Sequence, residues 1–326
     1  MASAQQIKAL LQSHIEGDDE HFFAVAMQVA AREAKLGHGK LAEELRELID
    51  EAKACRKVLG IGKPTPIATP KGDLANLLDV SYPKVRLADM VLSDSLGDRL
   101  TRIVKEHRQS AKIRAHGLSP RRKLLLIGPP GTGKTMTASA LAGELNLPLF
   151  RVKLDALITK FLGETAAKLR LVFDAAASTR GVYFFDEFDA IASQRGLGND
   201  VGEMRRTLNS FLQMIEQDES NSLIIAATNH PEILDYAVFR RFDDVVEYAL
   251  PAPEQVTATL KARLGSFADP KTDWSALSQT AGELSYADLT RASDEAIKEA
   301  VIHDRDRVTE SELRKSFEDR LAISKR

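Results

Sequence analysis

Gly128-Pro129-Pro130-Gly131-Thr132-Gly133-Lys134-Thr135 lies between an apolar run at 124–127 and a helix-forming run that begins at Met136. A glycine separated by four residues from Gly-Lys-Thr, set between a strand and a helix, is a complete phosphate-binding loop. Its glycines let backbone N–H groups wrap an anion, and the N-terminus of the following helix adds a favourable dipole. The Lys134 ammonium is placed to neutralise β and γ phosphate oxygens, and the Thr135 hydroxyl to ligate Mg2+. A chance Gly-rich turn would not fill every position. Gly128, Pro129, Pro130, Gly131, Thr132, Gly133, Lys134, Thr135 and Met136 are therefore expected around a bound nucleotide, with ATP and Mg2+ as cofactors.

Further β-type runs at 149–152, 182–185 and 223–227 alternate with amphipathic helices from about residue 85 to residue 250. Such alternation predicts an α/β fold whose parallel sheet is covered by helices on both faces. Val182-Tyr183-Phe184-Phe185 runs into Asp186-Glu187-Phe188-Asp189, so an apolar strand ends in carboxylates where a nucleotide crevice is expected. Asp186 is placed to hold Mg2+ through water. Glu187 is placed to polarise an attacking water, which makes a binding site hydrolytic. Asp189 reads as the cap of the next helix.

Beyond residue 251 the strand pattern stops, and helical stripes at 256–264, 284–301 and 310–321 predict an all-helical lid over 251–326. Residues 1–57 carry three stripes at helical spacing, Ile7 to Ile15, Phe22 to Ala34 and Leu41 to Ala52, and read as a small helical module that meets a partner or substrate. Between them, 58–84 is rich in Pro and Gly and reads as a linker, leaving 85–250 as the nucleotide-binding core.

Composition excludes several classes. The 326 residues carry a formal net charge of −2, which gives no general attraction to nucleic acid. One stretch, 97–123, holds nine Lys or Arg against Asp98 and Glu106. No aromatic side chain is interleaved there, so it reads as a solvated face or subunit contact, and nucleic acid is not an expected partner. Cys55 is the only cysteine, so neither an intrachain disulfide nor a cysteine-based zinc site can form. No apolar run approaches the roughly 20 residues of a membrane span, and a basic-then-apolar leader is missing, so the chain is read as cytoplasmic.

Thr228-Asn229-His230-Pro231 and Leu234-Asp235-Tyr236-Ala237-Val238-Phe239-Arg240-Arg241-Phe242-Asp243 resemble the second region of homology that sets AAA ATPases apart from other P-loop proteins. The resemblance implies that Asn229 is a polar sensor helping to place the water. It also implies that Arg240 and Arg241 are arginine fingers reaching into a neighbouring subunit, as in the katanin and spastin group, where the two arginines are likewise adjacent. It does not choose between them. Lys160-Phe161-Leu162-Gly163-Glu164 is similar to the family's pore loop, with Phe161, Leu162 and Gly163 as its aromatic-apolar-glycine triplet, and 195–200 falls where a second pore loop is expected. Leu284-Ser285-Tyr286-Ala287-Asp288-Leu289 resembles the lid segment that flanks adenine, with Tyr286 in place of glycine. That puts Ala287 near the base, with Asp89 to Val91 as counterparts on the other side. Ser285 and Asp288 also fit a plain helix cap.

The resemblance covers about 86–321 and implies a homo-hexameric ATPase that threads or remodels a protein. Two other readings remain: a nucleotide-gated scaffold that activates a partner such as a subtilisin-like serine protease, and a nucleic-acid loader resting on the basic stretch alone. None of the seven histidines belongs to a His-Glu-x-x-His motif, so this sequence carries no metalloprotease centre of that type.

Overall fold

The computed structural model describes residues 19–35, 37–47, 49, 70, 72–158, 164–192 and 200–324. Two compact units divide the chain, Met1–Thr65 and Pro66–Arg326. In the first, the helix Asp19–Lys35 and a helical stretch at 39–47 bury Val25, Val29, Ala30 and Ala42. The expected stripe Ile7 to Ile15 lies outside the described residues.

The second unit is built on a sheet of six strands: β1 Leu78–Ser81, β2 Lys123–Ile127, β3 Leu149–Val152, β4 Val182–Phe185, β5 Leu223–Thr228 and β6 Asp244–Glu247. Their order is β1-β3-β4-β5-β2-β6, parallel throughout except for antiparallel β1 at the edge. Because side chains alternate along a strand, each apolar run supplies both faces. Leu125, Tyr183, Phe185, Ile224 and Ala226 pack with the helices Glu164–Ser178 and Asp200–Gln217. Leu124, Leu126, Val182, Phe184 and Ile225 pack with Asp94–Arg108 and Lys134–Leu145 on the other side. The sheet is thus covered on both faces, as expected for an α/β fold.

Two strands differ from expectation. β1 lies inside the segment read as a linker, following a short helix Asp73–Leu77. Four residues of Leu-Asp-Val-Ser make a faint signal beside the Pro and Gly around them; pairing with β3, Leu78 opposite Val152, makes the strand. β6 has only Val245 and Val246 between two acids, too little for a hydrophobic pattern, and is drawn into the sheet by its ladder with β2.

Four helices, Pro253–Leu264, Trp274–Ala281, Tyr286–Ile302 and Glu310–Ser324, form the lid around Val256, Leu260, Leu277, Leu289 and Phe317. Trp274–Ala281 is too short to show a clear stripe, and its start is fixed by Asp273, whose carboxylate accepts from the Ser275 and Ala276 N–H groups. The basic stretch is largely neutralised in place. Arg99 and Arg121 meet the buried Asp244, Arg102 meets Glu106, Arg108 meets Glu144, and Arg122 meets Asp218. Among the described residues no helix is long and apolar enough to cross a membrane.

Candidate functional site

β2 delivers the chain directly into Gly128, whose φ is 142°. A Cβ there would lie 2.2 Å from the Tyr248 carbonyl oxygen just past β6, so no side chain fits. Gly131 and Gly133 also hold left-handed backbone, with φ of 74° and 101°, and Gly133 leads into the helix Lys134–Leu145. Such dihedrals are open to glycine at little cost. The Thr132 hydroxyl donates to the Pro129 carbonyl at 2.8 Å, closing the loop on itself. Buried Lys134 donates from Nζ to the Gly128 and Pro129 carbonyls at 2.6 and 2.7 Å, which holds an ammonium across the mouth of the cradle. Burial lowers its pKa, while Asp186 and then Asp189 work against that shift. Met136 is exposed in the first turn of the helix.

β4 ends at Phe185, and the next residue meets the loop: Thr135 Oγ1 donates to Asp186 Oδ2 at 2.9 Å. A hydroxyl and a carboxylate from separate elements are thereby in contact, the oxygen donor set that suits Mg2+. With the Lys134 ammonium and a cradle too narrow for side chains, the residues fit a metal-bound triphosphate. Glu187 follows, exposed and at φ 52°. Its turn is held on both sides: its own N–H donates to Asp186 Oδ1 at 3.1 Å, and the Phe188 N–H donates to the Ala227 carbonyl at 2.8 Å. The Phe188 ring is buried 4.7 Å from that of Phe211. A left-handed non-glycine residue costs about 1–3 kcal/mol, and such outliers gather at functional sites.

Asp189 ties two elements together. It opens the short helix Asp189–Ala192 and also accepts from Thr228 Oγ1 at 2.8 Å; that hydroxyl in turn accepts from the His230 N–H at 2.9 Å. The end of β5 that carries half-buried Asn229 is thus tied to the turn that carries Glu187. Sequence reasoning passed over Thr228, although the residue stands at the head of the Thr-Asn segment it had quoted. It also missed Tyr248, whose hydroxyl lies 2.6 Å from Thr137 Oγ1 under the loop.

The lid reaches the loop through its third helix. The Ala287 N–H donates to the Gly131 carbonyl at 3.1 Å, and a Cβ on Gly131 would lie 2.4 Å from Ser285 Oγ. Ser285 and Asp288 form a reciprocal cap, the Ser285 hydroxyl accepting from the Asp288 N–H at 3.2 Å and donating to its carboxylate at 2.5 Å. On the opposite flank the carboxylate of exposed Asp89 accepts from the Arg86 N–H at 2.7 Å. Its neighbour Met90 is the residue that approaches, its Cε 3.5 Å from where a Gly133 Cβ would be.

Arg240 and Arg241 follow the short helix Tyr236–Phe239. Arg241 forms an ion pair with Glu216. Exposed Arg240 lies 4.6 Å above the centre of the Tyr236 ring and has no ion pair among the described residues. Neither guanidinium has a hydrogen bond or ion pair with the described residues of its own phosphate loop. Phe161, Leu162, Gly163 and residues 195–199 lie outside the described residues.

A glycine cradle after β2, with Lys134 and Thr135 facing an acidic end of β4 and β5 between them, defines a P-loop nucleoside triphosphatase. The model of the ATPase family associated with various cellular activities (AAA) matches residues 124–250. The uncharacterized AAA family ATPase y4kL of Sinorhizobium fredii is 37% identical over 326 residues, covering 98% of this chain and 96% of that one. The chain therefore belongs to the AAA family of ATPases. ATP-dependent zinc metalloproteases FtsH are also similar, 39% identical over 184 residues for FtsH 4 of Sphaerobacter thermophilus and 33% over 269 residues for FtsH of Rhodococcus erythropolis. These matches take in 54% and 80% of this chain but only 28% and 30% of the metalloproteases.

Proposed function

We propose that the chain is a Mg2+-dependent ATPase that works as a homo-hexameric ring, in which Arg240 of one copy completes the site of the next, and that turnover drives remodelling of a protein threaded through the ring. The observation that carries this reading is the disposition of the two arginines. Arg241 is engaged by Glu216 of its own chain, whereas Arg240 is exposed, stacked on Tyr236 and uncommitted among the described residues. An exposed guanidinium resting on a ring suits a site on another copy, where it would offset charge developing on the transferring phosphoryl group.

Within one copy, Lys134 would exchange its two carbonyl partners for phosphate oxygens, and Thr135 with Asp186 would hold the metal. Mg2+ held there would supply Lewis-acid stabilisation of phosphate charge. Glu187, fixed by its pinned turn, orients the water and takes up its proton. Asn229 places that water from the side, kept in register by the Thr228 to Asp189 hydrogen bond. Ala287, resting on Gly131, makes the lid responsive to what fills the loop.

A polypeptide substrate is favoured by the similarity to ATP-dependent metalloproteases. No His-Glu-x-x-His is present in this sequence, so the metalloprotease centre of that type is not part of the likeness. Residues 1–57 would select the client, and Phe161, Leu162 and Gly163 would grip it. Replacing Phe161 by Ala should reduce unfolding of a fluorescent client far more than ATP turnover. If the two fall together, or neither falls, the threading reading is wrong.

A further inference from the structure

At the opposite edge of the sheet from the nucleotide cradle, the chain enters the central strands. Arg122 precedes β2, Arg180 stands just before β4, and Asn221 comes just before β5. The five residues of β2 put roughly 15 Å between this edge and the phosphate loop. Together with His107, Ser110 and Arg114 these residues line a cavity of about 210 Å³ whose wall contains no Asp or Glu.

The arginines here are not alike. Arg122 is committed to Asp218 and to the Ser220 carbonyl. The Arg114 and Arg180 guanidiniums have no hydrogen bond or ion pair among the described residues, although five other arginines of the same basic stretch have each found an acid. Burial first, and then the charge of Arg114, lower the pKa of Arg180. His107 forms the buried floor, its Nε2 held 2.8 Å from the Arg121 carbonyl oxygen. Exposed Arg114 and Arg180 thus set two like charges at the rim of a concavity without a carboxylate in its wall, a local field that an anion would offset.

We propose that this cavity is a second anion site, binding a doubly charged tetrahedral oxyanion of the phosphate type between Arg114 and Arg180, with the Ser110 hydroxyl and Asn221 amide as neutral donors. Guanidinium forks match such an oxyanion through paired N–H groups. The volume is below the roughly 300–1,000 Å³ of sites for larger organic ligands, which suits a phosphoryl group and leaves no room for a base and sugar inside. The ion could be free phosphate or the terminal group of a phosphate ester.

The test is binding of inorganic phosphate to the full chain by equilibrium dialysis, with the phosphate loop saturated by Mg2+ and a non-hydrolysable ATP analogue. One further phosphate per chain should bind, with sulfate competing and chloride at matched ionic strength not competing. Arg180→Gln and Arg114→Gln should each weaken it by about tenfold or more. Arg180→Lys, which keeps the charge and loses the fork, should fall between. Unchanged affinity for the ATP analogue shows that each variant is folded. Phenyl phosphate, run in parallel, separates the sources: equal binding assigns esters as well, and binding of phosphate alone assigns the free ion. Absence of phosphate binding once the loop is filled, or equal binding in the Arg114→Gln/Arg180→Gln double variant, would overturn the site. A response to duplex DNA without one to phosphate would overturn it equally.

Discussion

Glu187 combines exposure, a left-handed backbone and a place one residue beyond the acid that meets Thr135. Those features suit a base that must face the crevice at a fixed angle whatever its conformational cost. Glu187→Gln keeps the shape and removes the basicity, so ATP should bind normally while turnover falls by about 10²–10⁴; single-turnover assays beside nucleotide titration check this. The two arginines should also separate. Arg240→Ala should lose about 10³-fold or more in turnover with nucleotide affinity kept, and Arg241→Ala distinctly less, since Arg241 already serves Glu216. At this scale the phosphate cradle and the acidic strand end were legible from sequence, because each rests on residues close together in the chain. What was not legible, Thr228 on Asp189 and Tyr248 on Thr137, joins residues 39 and 111 positions apart and is set only when the strands align.

At the scale of elements, the contact between loop and lid is narrow and depends on a missing side chain. Gly131→Ala places a methyl against Ser285 Oγ and puts alanine at φ 74°. It should destabilise the folded protein by about 1–3 kcal/mol, seen as a lower denaturant midpoint, and reduce nucleotide affinity through displacement of Ala287. Ser285→Ala, which removes only the cap, should cost about 1 kcal/mol of lid stability. The parallel strands β2, β3, β4 and β5 and three of the four lid helices could be read in advance because their apolar runs are long or periodic. β1 and β6 could not, since each owes its conformation to a neighbour's open ladder rather than to its own residues. The helix Trp274–Ala281 was hidden by its length, eight residues showing barely two turns of pattern.

For the molecule as a whole, the basic stretch shows how charge read along a chain can mislead about charge in space. Arg99 in the helix Asp94–Arg108 and Arg121 just before β2 close on Asp244 of β6 and bind that edge strand to the body of the sheet. Burial alone would raise the Asp244 pKa, but the two guanidiniums outweigh it and hold the carboxyl below its ordinary value. A carboxyl with a depressed folded-state pKa stabilises the fold above its unfolded value of about 4, and that contribution is lost as pH falls through the folded value. Asp244→Asn should therefore lower stability by about 1–3 kcal/mol at pH 7, a penalty that shrinks as pH falls below about 4, in parallel urea titrations. The central claim, that one copy's Arg240 completes another copy's site, is tested most directly by mixing two inactive proteins. Arg240→Ala retains a sound phosphate loop and Glu187, and Glu187→Gln retains the arginine. ATP turnover should reappear on mixing and peak near equal amounts, because some junctions then unite both intact halves. Silence at every ratio, or full turnover by an isolated single copy carrying Arg240→Ala, would contradict the account.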